Sequence, residues 1–197
     1  MKLNWAERLA VNNPLRPLQQ YIEMKWLRKN AQLKPDAVVL EIGCGRGAGA
    51  HLIKKMFTPS VLQAMDLDIR MVQRAYTYLS PEKWEGITFY VGDAGSLPYV
   101  DGTMDAIFGF GVLHHVLDWQ GALAEIVRVL KIGGSYFFEE LYPSFYQNFL
   151  TRHVLLHPSE NRFRSEDFKQ AVDDAGLELG KYLECKKFGI FGLAAKR

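Results

Sequence analysis

Cysteine is scarce in this sequence. Cys44 and Cys185 are the whole complement. Two cysteines so far apart make neither a disulfide framework nor a metal-ligand spacing, so a reducing, cytoplasmic setting is the expectation. Long apolar runs are missing too. No stretch approaches the roughly 18–20 apolar residues of a membrane span, and the opening MKLNWAERLAVNNP has no apolar centre of signal-peptide length. No integral membrane segment is expected, and a peripheral membrane contact stays compatible. An excess of charge of one sign is also absent. The formal net charge is +2, too balanced to argue for nucleic acid as a partner. His51, His114, His115, His153 and His157 form no ligand cluster with carboxylates at close spacing, so no metal is expected. There is no internal repeat and no low-complexity segment.

What is present is an ordinary globular composition: 197 residues, 48% hydrophobic and 23% charged, which suits one domain with a sizeable core. The chain to about Lys34 reads as helical, broken at Asn13-Pro14 and Arg16-Pro17. In PLQQYIEMKWLRKN, Leu18, Tyr21, Ile22, Met24, Trp26 and Leu27 give an approximate apolar face, and Pro17 suits a first helical turn. Strand and helix signals then alternate: AVVLEI, AGAHLIKKMF, SVLQAMD, DIRMVQRAYTYL, ITFYVGD, DAIFGFG, DWQGALAEIVRVL, GSYFFEEL, SEDFKQAVDDAGL, then LELGKYLECK and KFGIFGLAAKR as two closing strands. Asp118 and Ser165 are the expected caps of the last two helices. Such alternation predicts an α/β domain, a parallel sheet with helices on both faces, ending in an antiparallel hairpin.

Ligands of open α/β sheets bind beyond the carboxyl ends of the strands, so the residues after each strand carry the functional information. After the first strand comes Glu41-x-Gly43-x-Gly45-x-Gly47; Asp66 ends the second; Gly92-Asp93-Ala94 follows the third; GFGVLHH, Gly109 to His115, follows the fourth; Glu139 and Glu140 end the fifth. The glycine run alone is ambiguous, because Gly43-x-Gly45-x-x-Ala48 also satisfies the looser dinucleotide fingerprint. A phosphate-binding P-loop is disfavoured, since alanine follows both Gly47 and Gly49 where Lys-Ser/Thr would be needed. Asp66 can accept from both ribose hydroxyls, whereas Asp68 is better placed to cap the next helix. Asp93 can accept from an adenine amino group; its competing reading is a turn acid. Glu41, the glycines, Asp66 and Asp93 in that order favour a ligand site.

These blocks resemble the class I S-adenosylmethionine-dependent methyltransferases, in particular the small-molecule group that includes the ubiquinone/menaquinone-biosynthesis C-methyltransferases. VLEIGCGRG, AMDLDIRMVQRA, GDAGSLPY, DGTMDAIFGFGVLHHV and ALAEIVRVLKIGGSYFFEE carry the likeness, from about Val38 to Glu140, with Ile132 where the family has proline. The resemblance implies a Rossmann-like, doubly wound sheet of seven strands, mostly parallel with the last strand antiparallel, in a single domain. Residues 1–34 would be a helical cover, 35–141 the cofactor core, 142–164 an insertion shaping the acceptor pocket, and 165–197 the closing helix and hairpin. The cofactor implied is S-adenosylmethionine, with S-adenosylhomocysteine as product. Gly43, Gly45 and Gly47 would let its methionine portion pass close to backbone, and Glu41 would support the loop and the amino group. Asp66 would hold the ribose, Leu67 would pack on the adenine, and Asp93 and Ala94 would read its edge. The Phe110 carbonyl, beside Gly111, would face the amino group.

Methyl transfer needs alignment of the reacting atoms, exclusion of water and in some cases removal of a proton. His115 is the base to test first and Glu140 the second. The alternatives are that one of the two adjacent histidines packs or caps the loop, and that Glu140 is a solvated strand-end acid. Leu141 to Arg164 is rich in aromatics and carries Arg152, His153, His157, Arg162 and Arg164, which suits an apolar acceptor pocket with basic rims, for a lipid, quinone or aromatic acid. With Trp5 and Trp26, that region is compatible with a shallow membrane-surface contact. A cofactor-binding protein without transferase activity and a nicotinamide-dependent oxidoreductase are the rival readings. A nucleic-acid methyltransferase is disfavoured, because GFGVLHH stands where an Asn/Asp-Pro-Pro-aromatic loop would be expected.

Overall fold

The computed structural model describes residues 15–146 and 160–197. The elements, in chain order, are α1 (Arg16–Asn30), β1 (Val38–Ile42), α2 (Ala48–Phe57), β2 (Val61–Asp66), α3 (Ile69–Tyr78), α4 (Pro81–Trp84), β3 (Ile87–Val91), β4 (Met104–Phe110), a 3-10 turn (Leu113–His115), α5 (Trp119–Val129), β5 (Leu130–Leu141), α6 (Pro143–Tyr146), α7 (Ser165–Asp174), β6 (Leu177–Cys185) and β7 (Gly189–Lys196).

The strands form one seven-stranded sheet in the order β3-β2-β1-β4-β5-β7-β6. β1 pairs parallel with β2 and β4, β2 with β3, and β4 with β5; β7 runs antiparallel to both β5 and β6. This is the mixed sheet expected, with only the last strand reversed. Val39, Leu40 and Ile42 of β1 are fully buried, as a central parallel strand covered on both faces requires. Two apolar cores result. Leu40, Ile42, Leu123, Ile126, Tyr136 and Phe138 lie in one, and Val39, Ile53, Phe57, Phe108 and Phe137 in the other. Phe108 and Phe137 stack at 4.3 Å between neighbouring strands. Consecutive side chains of a strand serve opposite cores.

Asp118 caps α5 as expected, its side chain accepting from the Gly121 amide at 3.0 Å, and Asp68 caps α3 by accepting from the Arg70 amide at 3.0 Å. Ser165 does not cap α7. It is the first helical residue, Arg164 holds the cap position, and the Asp167 carboxylate accepts from the Arg164 amide at 2.9 Å. β5 begins at Leu130, immediately after α5, and its register against β4 shifts between Met104 and Ala106. Ile132, where the family has proline, is 83% exposed there, so the replacement costs no packing.

α1 departs from the expected apolar face. Met24 and Leu27 are buried, whereas Leu18 and Ile22 are exposed. Polar contacts set its rotation: Arg16 donates from Nη1 to Glu139 Oε1 at 2.9 Å and from Nη2 to Oε2, and Gln19 Nε2 donates to the same Oε1 at 3.2 Å. The helix is thereby tied to the carboxyl end of β5. Trp5, Arg152, His153 and His157 lie outside the described residues.

Candidate active site

The chain reverses between β1 and α2 through three left-handed glycines, Gly43 (φ 68°), Gly45 (φ 53°) and Gly47 (φ 80°). Side chains rarely adopt this backbone, and at Gly43 a Cβ would in addition stand 2.6 Å from Val112 Cγ2. Gly43 and Gly45 line the cleft. Gly47 does not. A Cβ there would point at Leu79, Phe89 and Ala75 within 3.1 Å, so Gly47 permits packing under the loop and starts α2. Of the three glycines expected to front the ligand, Gly43 and Gly45 line the cleft and Gly47 packs beneath the loop. A glycine outside the sequence expectation, Gly49, has the clearer polar reason: its Cβ would lie 2.0 Å from Glu41 Oε1.

Glu41 is buried beneath the loop and lines neither cavity of the cleft described below. Burial, reinforced by the Asp66 charge, pushes its carboxyl up to about 8, although the Ala50 amide donates to it. Its Oε2 has no hydrogen-bond partner among the described residues. A carboxyl that is protonated at neutral pH beneath a ligand loop can both donate and accept.

Asp66 at the tip of β2 accepts from the Gly45 amide through Oδ2 at 2.9 Å and from the Asp68 amide through Oδ1 at 2.8 Å. It therefore ties the glycine loop to β2, and each oxygen keeps lone-pair capacity toward the cleft. Burial raises its carboxyl above the ordinary aspartate range. Asp68 is occupied by the α3 amide and by the Arg70 guanidinium, at 2.7 Å from Nη2. Asp93 accepts from the Gly95 amide at 2.9 Å, the turn geometry weighed against ligand binding, and it also lines the cleft.

Two cavities make up that cleft. One, of about 390 Å³, runs past Asp66, Leu67, Asp93, Ala94, Val116 and Leu117. The other, of about 330 Å³, runs past Arg16, Gln20, Glu139, Leu141, Phe145 and Tyr146. Gly43, Gly45, Phe110, Gly111 and His115 line both, so the two are halves of one cleft across the sheet end. This is the crevice between the β1 and β4 loops, where an open α/β sheet takes its ligands.

The β4 loop is anchored from below by Glu140. Its carboxylate is fully buried and accepts from the amides of Leu113 at 2.9 Å and His114 at 3.1 Å. His114 Nδ1 lies 2.7 Å from Oε2, a contact in which the carboxylate accepts, and the Leu141 amide approaches the same ring nitrogen at 3.4 Å. Glu140 lines neither cavity, so the catalytic expectation for it meets a buried anchor instead. The histidines divide as the packing alternative describes. His114 is buried against Glu140 and the Tyr146 ring and borders only the second of the two cavities, while its neighbour His115 lines both halves of the cleft.

Glu139 was expected at the end of the fifth strand but without a role. It lines the second cavity, clamped by Arg16. Burial, reinforced by the Glu139 charge, pushes nearby Glu23 up to about 7. The signal available was the pair Glu139-Glu140: adjacent strand residues face opposite ways, so one of them had to reach the α1 side. Arg162, expected on a basic rim, donates to backbone, Nη1 to the His114 carbonyl at 2.6 Å and Nη2 to the Val116 carbonyl at 2.8 Å, and also pairs with the Tyr146 side chain.

A cradle that a Cβ would fill at Gly43, paired acids at two strand tips and a cleft continuous past Phe110 and Gly111 fit an adenosyl amino-acid ligand. Comparison with known proteins agrees. Residues 40–138, half of the chain, match the family model described as a methyltransferase domain, and the chain belongs to that family, the S-adenosylmethionine-dependent methyltransferases of class I fold. Sterol 24-C-methyltransferase ERG6B of Gibberella zeae is 33% identical over 125 residues, which are 62% of this chain and 33% of that protein. Phthiotriol/phenolphthiotriol dimycocerosates methyltransferase 1 of Mycobacterium ulcerans is 33% identical over 109 residues, 54% of this chain and 38% of that protein. The chain thus spans 33% and 38% of the length of these two curated relatives. The crystal structure of a SAM-dependent methyltransferase from Aquifex aeolicus shares the fold, with a TM-score of 0.76 at 21% identity over 98% of both chains. The family's methyl donor is S-adenosylmethionine.

Proposed function

We propose that the protein transfers a methyl group from S-adenosylmethionine to a small apolar or aromatic acceptor by direct displacement. The observation that carries the reading is the two-part cleft, with acids at strand tips along one half and Leu141, Phe145 and Tyr146 along the other. The sulfonium, when bound, supplies an already activated methyl group. The chain's own task is to bind, orient and exclude water.

In the first half, Asp66 accepts from the ribose hydroxyls, Leu67 covers the adenine, and Asp93 with the Ala94 amide reads the adenine edge. At the junction, Gly43 and Gly45 allow backbone approach, and the Phe110 carbonyl beside Gly111 accepts from the amino group. Glu41 supports this loop from beneath. In the second half the acceptor lies on the apolar wall, with α1 closing over it through Arg16 and Glu139. His115, at the junction of the halves, is the proton acceptor where the acceptor atom carries a proton to lose. Glu140 is not the base; its role is to fix the loop that carries His115.

The two curated relatives are named for a sterol and a mycocerosate lipid. Those names and the aromatic wall support an apolar, lipid-like or quinone-like acceptor for this chain. Among the described residues no helix is long and apolar enough to cross a membrane, and no group of His, Cys, Asp and Glu is arranged to hold a metal. Cys44 and Cys185 are unbonded thiols, which supports a cytoplasmic setting. The test is transfer of isotope-labelled methyl from S-adenosylmethionine into lipid, quinone and aromatic-acid extracts. Label in an apolar product, abolished in Asp66→Ala and reduced in His115→Ala, supports the reading. Binding of the cofactor with no label in any extract would favour a cofactor-binding protein without transferase activity.

A further inference from the structure

The loop after β4 is held from two sides, and the second hold comes from a part of the chain remote from the cofactor residues. Glu140 takes amides of Leu113 and His114 from within the sheet. The carbonyls of the same loop are taken by residues that follow the β5 crossover. Arg162 spans His114 and Val116 with its two terminal nitrogens, and Asn161 Nδ2 donates to the Leu117 carbonyl at 2.8 Å. Arg162 is itself oriented, since its Nε donates to the Glu160 carbonyl at 2.7 Å. Asn161 adopts a left-handed backbone (φ 50°) in making its contact, a conformation that asparagine tolerates better than most residues.

The far side of this loop is a wall of the cleft. His115, Val116 and Leu117 line the half with Asp66 and Asp93. Arg162 and Asn161 line neither half. We propose that Arg162, assisted by Asn161, is a positioning residue for the adenosine half of the cofactor site, setting the wall at His115–Leu117 through the backbone carbonyls it grips. An arginine fork holds two carbonyls two residues apart from two donors fixed in one plane, whereas a lysine ammonium sits on a flexible stem that fixes no such plane. The proposal rests on the cofactor reading above. It goes beyond that reading by giving a role in cofactor affinity to residues that do not touch the cofactor.

The experiment is calorimetric titration with S-adenosylhomocysteine and with 5′-methylthioadenosine, which lacks the amino-acid portion, for wild type, Arg162→Ala, Arg162→Lys and Asn161→Ala, with melting temperatures alongside. Removing a charge-assisted hold on the wall is expected to weaken Arg162→Ala about tenfold for both ligands. Arg162→Lys should recover part of that loss, and Asn161→Ala should lose affinity in the same direction by about threefold. The loss should be smaller when Arg162→Ala is made on a His115→Ala background, because both act through one wall.

Affinities of Arg162→Ala within about twofold of wild type would overturn the proposal, as would a melting-temperature drop with unchanged affinity. A loss confined to S-adenosylhomocysteine would overturn it as well, because the effect would then lie at the amino-acid end. If Arg162→Ala does not fold, unchanged affinities in both Arg162→Lys and Asn161→Ala overturn it. A wild-type protein that binds neither ligand refutes the cofactor reading itself, a result separate from any variant's failure.

Discussion

Glu140 separates two accounts of the site, and its replacement distinguishes them. As a catalytic base it would be lost from turnover while fold and cofactor affinity stayed intact. As a buried anchor its loss would strike stability first. Glu140→Ala removes the acceptor of the Leu113 amide, the His114 amide and His114 Nδ1, at 2.9, 3.1 and 2.7 Å, around a side chain that is 0% exposed. Donors left without partners in a buried site cost about 1–3 kcal/mol each, and partial relaxation of the loop brings the sum to about 3–5 kcal/mol. For a chain of this size that is a melting temperature lower by about 6–20 °C. Glu140→Gln keeps the shape and one acceptor oxygen but turns an NH2 toward a donor, so about half of that loss is expected. Differential scanning calorimetry with matched S-adenosylhomocysteine titrations is the assay. A Glu140→Ala protein melting within about 2 °C of wild type, with full cofactor affinity and no turnover, would refute the anchor and restore the base.

Glu41 makes stability depend on pH. Its carboxyl is raised in the fold to about 8, so the folded state holds a proton that the unfolded state has released. The stabilisation is full below the unfolded pKa near 4.5 and is lost as pH rises toward about 8, amounting to a few kcal/mol. Glu41→Gln should abolish that slope, and urea titrations from pH 5 to 8 should show the variant gaining on wild type; parallel curves would contradict it. Gly49→Ala should destabilise by about 1–3 kcal/mol, because its Cβ would meet Glu41 Oε1 at 2.0 Å. In Glu41→Ala, which vacates that space, the same substitution should cost clearly less. Additive losses in the double-mutant cycle would mean the two do not meet.

The helices and strands were legible wherever local chemistry decides them. Ala48–Phe57 begins after a glycine turn and carries its own apolar face; Trp119–Val129 begins at a capping aspartate. The reversed last strand was expected from the two closing strand signals and from the family likeness, whereas the strand order is set by the fold. What stayed hidden was direction. Glu139 and Glu140 are chemically alike in sequence, and only the register of β5 between β4 and β7 decides that the first meets α1 and the second meets the histidine turn. His114 and His115 divide in the same way on their short 3-10 turn. Among the glycines, the contacts of Gly47 and Gly49 were hidden because the loop's path, not its spacing, sets which Cβ direction points at Glu41 and which at Phe89. α1 turned away from its apparent apolar face because Arg16 and Gln19 find Glu139, a partner more than a hundred residues distant. Arg162 read as a charge on a pocket rim for the same reason: two of its partners are the His114 and Val116 carbonyls, which leave no mark in a sequence.

The central claim is that the cleft takes an adenosyl amino-acid cofactor held by Asp66. The most direct measurement is calorimetric titration of the purified protein with S-adenosylmethionine, S-adenosylhomocysteine and NAD, with Asp66→Ala in parallel. The account predicts saturable binding of the two adenosyl ligands and none of NAD. It also predicts that Asp66→Ala weakens both by about 100-fold or more, because two hydrogen bonds to a charged group are lost. NAD binding without adenosyl-ligand binding, or adenosyl binding untouched by Asp66→Ala, would contradict it.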